Sequence, residues 1–382
     1  HGRLSITAPD VFEAEPLRLL TLFRLADRHD LDLHPDAFSA VTRSLNLVTP
    51  EPRRDPAASA AFLDILADGD RPYPVLTLMN ETGLLGRFLP EWGRIVGQTQ
   101  FNMYHAYTVD EHTLQAIGVI NDIARGKLKD DHPLASSLMP LIRDHAVLML
   151  AVLLHDVGKG GDRGQLEDGS IAARRACERL GLDPRRAELV AWLVRQHLTM
   201  SDYAQKRDVS DPATVRAFAE IVGDLERLRM LLVLTVADIR AVGPGVWNGW
   251  KGELLRTLYW ETEIVLAGGH SALDRKRRVG QAQEELRRAL PAWADHEFDA
   301  YAARHYPAYW LKVDLAHKVQ HAHLLRLTEV EVKSLATEVA TDAYRGVTEL
   351  TVVAPDHPRL LSIIAGACAA SGANIVDAQI FT

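Results

Sequence analysis

Cysteine is nearly absent: the 382 residues include two, Cys177 and Cys368, far apart and without zinc-type spacing. That excludes a disulfide framework or a zinc ribbon and fits a reducing cytoplasm. Long apolar runs are missing as well. The longest, Ala146 to Leu154, falls far short of the ~20 residues needed to cross a bilayer, so no membrane span is expected. The first residues, His1-Gly2-Arg3, do not open a basic stretch followed by an apolar one, so no secretory signal is visible. Positive charge is not in excess either. With 43 Lys+Arg against 51 Asp+Glu the formal net charge is −8, which argues against nonspecific nucleic-acid binding, and the basic run Arg275 to Arg278 reads as a solvated helix face. No low-complexity tract or internal repeat is present. What remains is a globular profile, 47% apolar and 25% charged, long enough at about 150 residues per domain for two or three domains.

Apolar spacing makes the chain mainly α. Leu19, Leu20 and Phe23, then Phe62, Ile65 and Leu66, recur three and four apart in a helical N-terminal region, which proline clusters at Pro50 to Pro56 and Pro72 to Pro74 cut into short helices. Longer helices are predicted over 109–126, 140–156, 170–181, 185–197, 213–222 and 225–241. Gly243-Pro244-Gly245 then makes a sharp turn, and two charged helices follow over 249–266 and 271–290. The pattern changes only near the end. Val347 to Val353 alternates as a strand should, Arg359 to Ser371 reads as a helix capped by Gly372, and Ile375 to Phe381 reads as a second strand. Such a β-α-β unit of about 36 residues is too small to bury a core alone. Its sheet would be unfinished at Thr382, so the chain reads as a piece of something longer.

The chemistry concentrates where Ala146 to Leu154 runs into His155-Asp156-Val157-Gly158-Lys159. An imidazole and a carboxylate at the inner end of an apolar helix are costly to bury without partners, and a divalent cation is an efficient one. Taken alone, His155-Asp156 also fits a plain helix C-terminus with a satisfied histidine and a capping aspartate. Two further segments bear on this. Met230 to Ala237 sets Asp238 into another apolar stretch, and His112 shares a helical face with Ala116, Val119, Ile120 and Ile123.

The order His, His-Asp, Asp on three apolar helices resembles the HD-domain metal-dependent phosphohydrolases, which implies an all-helical bundle and the ligand set His112, His155, Asp156 and Asp238. Longer strings narrow the resemblance. Phe101-Asn102-Met103-Tyr104-His105-Ala106-Tyr107-Thr108-Val109-Asp110-Glu111-His112, Trp192-Leu193-Val194-Arg195-Gln196-His197, Leu234-Thr235-Val236-Ala237-Asp238-Ile239, Val246-Trp247-Asn248-Gly249-Trp250-Lys251 and Met79-Asn80-Glu81-Thr82-Gly83 look like the bifunctional uridylyltransferase/uridylyl-removing enzymes of PII nitrogen signalling. The family order implies a helical region following a nucleotidyltransferase core over 1–100, an HD domain over 101–245, a helical extension and linker over 246–340, and the first half of an ACT domain, an ACT-like βαβ unit, over 346–382. The transferase core itself is not expected in these residues. Asp30-Leu31-Asp32 and Asp68-Gly69-Asp70 do not follow a Gly-Ser pair at the spacing that such a core needs, and Gly169-Ser170 has no following Asp-x-Asp.

One departure concerns the metals. Relatives usually carry a further histidine ten residues after the histidine of His-Asp, and ungapped counting places Gln165 there, a weaker ligand for transition metals. His197 is then the remaining candidate for an extra metal or substrate contact, balanced against a hydrogen-bonded structural histidine. His105, so close to His112, is expected either to support the ligands or to face the substrate, and His145 is expected to be structural.

The resemblance implies hydrolysis of uridylyl-PII to PII and UMP at a tyrosine oxygen, with Mg or Mn in the ligand set. Lys159 would neutralise phosphate charge; the other reading is an ordinary cation at a helix C-terminus. The ACT-like unit implies glutamine as effector near Asp356, Gly372, Asn374 and Ile375, although these also fit plain turn and cap positions. Two other readings stand beside this one: an HD phosphohydrolase of nucleotides or (p)ppGpp, and a degenerate regulatory binding module, which Gln165 would favour.

Overall fold

A computed structural model of the chain describes all residues except 1, 9, 100–106, 210, 244, 268–270, 331–334, 343–346, 356, 358, 376–377, 380 and 382. The chain divides into two compact units, His1–Trp247 and Asn248–Thr382, and is helical through most of both.

The first unit opens with β1 (Arg3–Leu4), α1 (Val11–Ala14), α2 (Arg18–Arg28) and β2 (Asp32–Leu33), the two short strands pairing in parallel. Next come α3 (Pro35–Arg43), α4 (Pro56–Leu63), α5 (Pro72–Glu81) and α6 (Leu84–Phe88). The prolines that punctuate this region start helices: α3, α4 and α5 each carry one in the first turn, where its missing N–H would have no intrahelical partner anyway. Asp55 caps α4 by accepting from Ala57 N. Phe23, Phe62, Leu66, Leu76, Met79, Phe88 and Trp92 are fully buried between these helices.

Among the described residues, eight more α-helices follow in the unit: α7 (Val109–Ala124), α8 (Pro133–Leu138), α9 (His145–Leu154), α10 (Gln165–Arg179), α11 (Pro184–Gln196), α12 (Thr199–Lys206), α13 (Pro212–Val222) and α14 (Leu225–Ala241). Four of them start on an aspartate cap, Asp144, Asp183, Asp211 and Asp224, each worth about 1 kcal/mol over alanine. Asp144 also accepts two hydrogen bonds from the Arg186 guanidinium, at 2.6 and 3.0 Å, which ties the start of α9 to the start of α11. Val147 to Leu154 of α9 and Met230 to Ala237 of α14 are buried on every side. A helix that is apolar all round can only lie in the centre, and α7, α11 and α14 pack around α9. Each fully buried Leu, Val or Met there contributes about 1.5–3 kcal/mol.

The second unit contains α15 (Gly249–Leu266), α16 (Ser271–Ala289), α17 (Asp295–Ala303), α18 (Pro307–Lys312), α19 (Leu315–Val330), β3 (Ala336–Asp342), β4 (Val347–Val353) and α20 (Leu360–Ala370). Leu286, Leu290, Trp293, Phe298, Tyr301, Tyr309, Trp310, Val313 and Ala322 form its core cluster. The end of the chain differs from the sequence expectation in two ways. First, β3 starts inside the segment read as helical linker, pairing antiparallel with β4 from Ala336↔Val353 to Asp342↔Val347. Its Glu338, Ala340 and Asp342 have weak strand preference, and pairing with β4 overrides them. Second, of the expected strand Ile375 to Phe381, the described residues 375, 378, 379 and 381 carry no ladder. Phe381 instead packs edge-on against Tyr309 at 5.2 Å, so its apolar surface goes to the helical cluster rather than to a sheet.

Candidate metal centre

The apolar length of α9 drives its C-terminus into the middle of the first unit, and His155 and Asp156 arrive there 1% and 2% exposed. His155 follows the last helical residue and folds back so that Nδ1 donates to the Val152 carbonyl at 2.7 Å. A carbonyl can only accept, so this bond leaves Nε2 as the nitrogen facing the carboxylates. His197 repeats the arrangement at the end of α11, its Nδ1 donating to Val194 O at 2.7 Å. His112 enters from the first turn of α7 and Asp238 from the last turns of α14.

These side chains converge. His112 Nε2 lies 3.1 Å from Asp238 Oδ1 and 3.8 Å from Asp156 Oδ2. His155 Nε2 lies 3.2 Å from Asp156 Oδ2 and 3.7 Å from Asp238 Oδ1. Among the described residues, His112, His155 and Asp238 form the one group of three whose ligand atoms all fall within 4.8 Å of one another. Asp156 adds a carboxylate at its edge. Its Oδ2 accepts from Lys159 Nζ at 2.5 Å, and its Oδ1 accepts from Gln165 Nε2 at 2.9 Å and lies 3.9 Å from His197 Nε2.

The charges respond to one another. Burial opposes ionisation of Asp156 and Asp238. For Asp156 the charges of His155 and Lys159 outweigh it and hold the carboxyl well below its usual range. For Asp238 the hydrogen bond with His112 and the charge of His155 bring it to about 2. Burial also opposes the charge on His155, but Asp156 and Asp238 prevail and raise it to about 9. His197, buried beside that charge, is pushed down. His155 thus carries a proton where the carboxylates demand a positive charge, and a metal ion bound there would displace it. Two imidazole nitrogens and carboxylate oxygens suit a divalent cation of borderline hardness. With side chains 17% and 15% exposed, Asp238 and Lys159 mark the side open to solvent.

The other residues singled out in the sequence fall elsewhere. His105 and Asp356 lie outside the described residues. His145 is partly buried with Nε2 3.4 Å from Met139 O. Gly372 follows α20 with a φ of 75°, and its N–H donates to Ala369 O, the geometry of a helix C-terminal cap. Asn374 and Ile375 are exposed beside it.

Two features of the site escaped the sequence reading. A Cβ on Gly158 would stand 2.1 Å from Gln165 O and 2.3 Å from Gly169 N, so only glycine lets the turn after Asp156 meet the start of α10. The helix bearing His112 also hangs from α5: Asn80 links Trp92 Nε1 to Asp110 at 2.8 and 2.9 Å, and Tyr73 donates to Glu111 at 2.9 Å. The acidic pair ahead of His112 was the available signal for the second feature.

Known proteins resemble the chain along its whole length. Residues 1–88 match the family described as the Uridylyltransferase GlnD third domain, and residues 109–238 match the HD domain. Over 384 aligned residues covering 100% of the chain, it is 53% identical to the bifunctional uridylyltransferase/uridylyl-removing enzymes of Rhodopseudomonas palustris and Nitrobacter winogradskyi, and it spans 41% of the length of each. A solved tRNA-processing enzyme aligns with 69% of this chain and 63% of its own at 15% identity and a TM-score of 0.40, too slight a likeness to carry an argument. Residues 109–238 thus match the HD domain, and the whole chain is similar to the stretch of the bifunctional uridylyltransferase/uridylyl-removing enzymes that it covers.

Proposed function

We propose that the first unit is a metal-dependent phosphodiesterase that removes UMP from the uridylylated PII regulatory protein. The observation that carries this reading is the convergence of His112, His155, Asp156 and Asp238 in a chain 53% identical throughout to enzymes named for uridylyl removal. In this reading His112, His155, Asp156 and Asp238 hold one or more Mg²⁺ or Mn²⁺ ions. Such an ion supplies Lewis acidity, polarising the phosphoryl oxygens and acidifying water. The chain's own groups do the positioning. Nδ1 bonds to Val152 and Val194 hold the His155 and His197 rings in one orientation, and Gln165 holds the Asp156 carboxylate. Lys159, at the open side, meets the phosphodiester's negative charge. Water adds to phosphorus and gives a proton to solvent, the bond from phosphorus to the tyrosine oxygen breaks, and the phenolate, with a pKa of ~10, leaves without strong acid assistance and takes up a proton from solvent.

Glutamine is proposed as the effector favouring removal, acting through residues 346–382 as the first half of an ACT domain. Uridylylation of PII from UTP is proposed for the longer relatives rather than for these residues. The cytoplasm is the proposed compartment; no described helix is long and apolar enough to cross a membrane.

The test is release of UMP from uridylyl-PII with Mn²⁺ or Mg²⁺, with and without glutamine. UMP release that stops with a chelator is expected, and Asp156→Asn, which removes a ligand charge at nearly constant volume, should cut it more than about 100-fold while leaving the helical fold intact. Hydrolysis of free nucleotides or (p)ppGpp in place of uridylyl-PII would assign the site to another phosphohydrolase. Normal activity in the Asp156→Asn protein would overturn the ligand assignment.

A further inference from the structure

We infer that this centre holds a single divalent cation, with the Lys159 ammonium standing on the Asp156 carboxylate in place of a second ion. The inference rests on the metal-dependent reading above and adds the number of ions.

Asp156 is the group that would have to bridge two metals. Its Oδ2 faces His155 and His112, and its Oδ1 faces His197. Both oxygens are already engaged by side chains that are not ligands: Oδ2 by Lys159 Nζ at 2.5 Å and Oδ1 by Gln165 Nε2 at 2.9 Å. A carboxylate only accepts, so Gln165 must present its NH₂ group to Asp156, and its carbonyl oxygen is turned away from that carboxylate. The donor supply agrees. On the Oδ1 side, His197 Nε2 is the nearby imidazole nitrogen, and no second group of three metal-capable residues exists among the described residues.

Charge points the same way. With neutral imidazoles, Asp156, Asp238 and Lys159 sum to one negative charge. One divalent cation turns the site singly positive, which suits an anionic phosphodiester. Two would leave three uncompensated positive charges among groups as little as 1–3% exposed, where like charges repel strongly. Lys159 and Gln165 reach Asp156 from the two sides of the Gly158 turn, whose close approach to Gln165 and Gly169 admits no side chain.

The experiment is titration of the full, metal-stripped chain with Mn²⁺, followed by electron paramagnetic resonance and by metal analysis after desalting. One ion per chain with an uncoupled spectrum is expected. Lys159→Met should tighten Mn²⁺ binding several-fold, because it frees an Asp156 oxygen and removes a competing charge; Lys159→Gln is the companion variant if the first fails to fold. Two ions with an exchange-coupled spectrum, or unchanged or weaker binding in the lysine variants, would overturn the inference while leaving the hydrolase reading in place. A folded chain that binds no Mn²⁺ would remove the metal-dependent reading itself.

Discussion

At the residue scale, the site depends on small features as much as on its ionisable groups. Nearly complete burial makes the cluster sensitive: a histidine or aspartate left unpaired there costs several kcal/mol. Gly158 is the least conspicuous member. Gly158→Ala would press a methyl group onto the Gln165 carbonyl and the Gly169 backbone, which cannot swing aside as a side-chain tip can. A loss of about 1–3 kcal/mol in unfolding free energy is expected, together with weaker Mn²⁺ binding, because the turn that carries Asp156 and Lys159 must shift. Denaturant melts with and without metal check this. An alanine variant with wild-type stability and affinity would show that the turn has slack that the distances do not suggest.

At the scale of elements, apolar periodicity and cap residues account for most of what could be read in advance. The helices expected over 185–197, 213–222, 225–241 and 249–266 correspond to α11, α13, α14 and α15 within a residue or so at each end, because each starts on an Asp or Asn cap. Where the outcome depended on a distant partner, the reading failed. β3 is a strand because β4 lies beside it, and Phe381, expected in a strand, packs on Tyr309 instead. A polar clamp joins α19 to this hairpin. His317 bonds Asp314 through Nδ1 at 2.5 Å and Glu349 through Nε2 at 2.9 Å. The hydrogen bond to Asp314 raises His317 to about 9 despite partial burial. A histidine raised from its unfolded value near 6.5 contributes its full stabilisation below that pH and loses it as the pH climbs through about 9. Burial works against Asp314, but the His317 hydrogen bond still lowers it to about 2, so its share is lost only in strong acid. Amide exchange in Val347–Val353 should therefore accelerate between pH 6.5 and 9.5 beyond the intrinsic rate, and His317→Gln should flatten the change. An equal acceleration in that variant would assign it to something else.

At the scale of the whole molecule, ligand binding and stability should be coupled unevenly. A cation that binds the folded centre and not the unfolded chain stabilises by about 2.7 kcal/mol at a hundredfold excess over its Kd. All four proposed ligands belong to the first unit. Mn²⁺ should slow amide exchange in Val109–Ala124, His145–Leu154 and Leu225–Ala241 and leave Ser271–Ala289 unaffected. Equal protection in both units would mean that the ion acts elsewhere.

The sequence by itself determined the mainly helical class and the apolar α9 and α14, because burial of apolar surface follows spacing along the chain, while the resemblance to HD phosphohydrolases singled out His112, His155-Asp156 and Asp238. It could not say which atoms meet. That Gln165 and Lys159 clasp Asp156, that Asn80 and Tyr73 steady the helix of His112, and that Gly158 must be bare were decided only by the tertiary structure. Hydrogen bonds and close backbone approaches depend on distances between residues remote in the chain, and no local pattern encodes those distances.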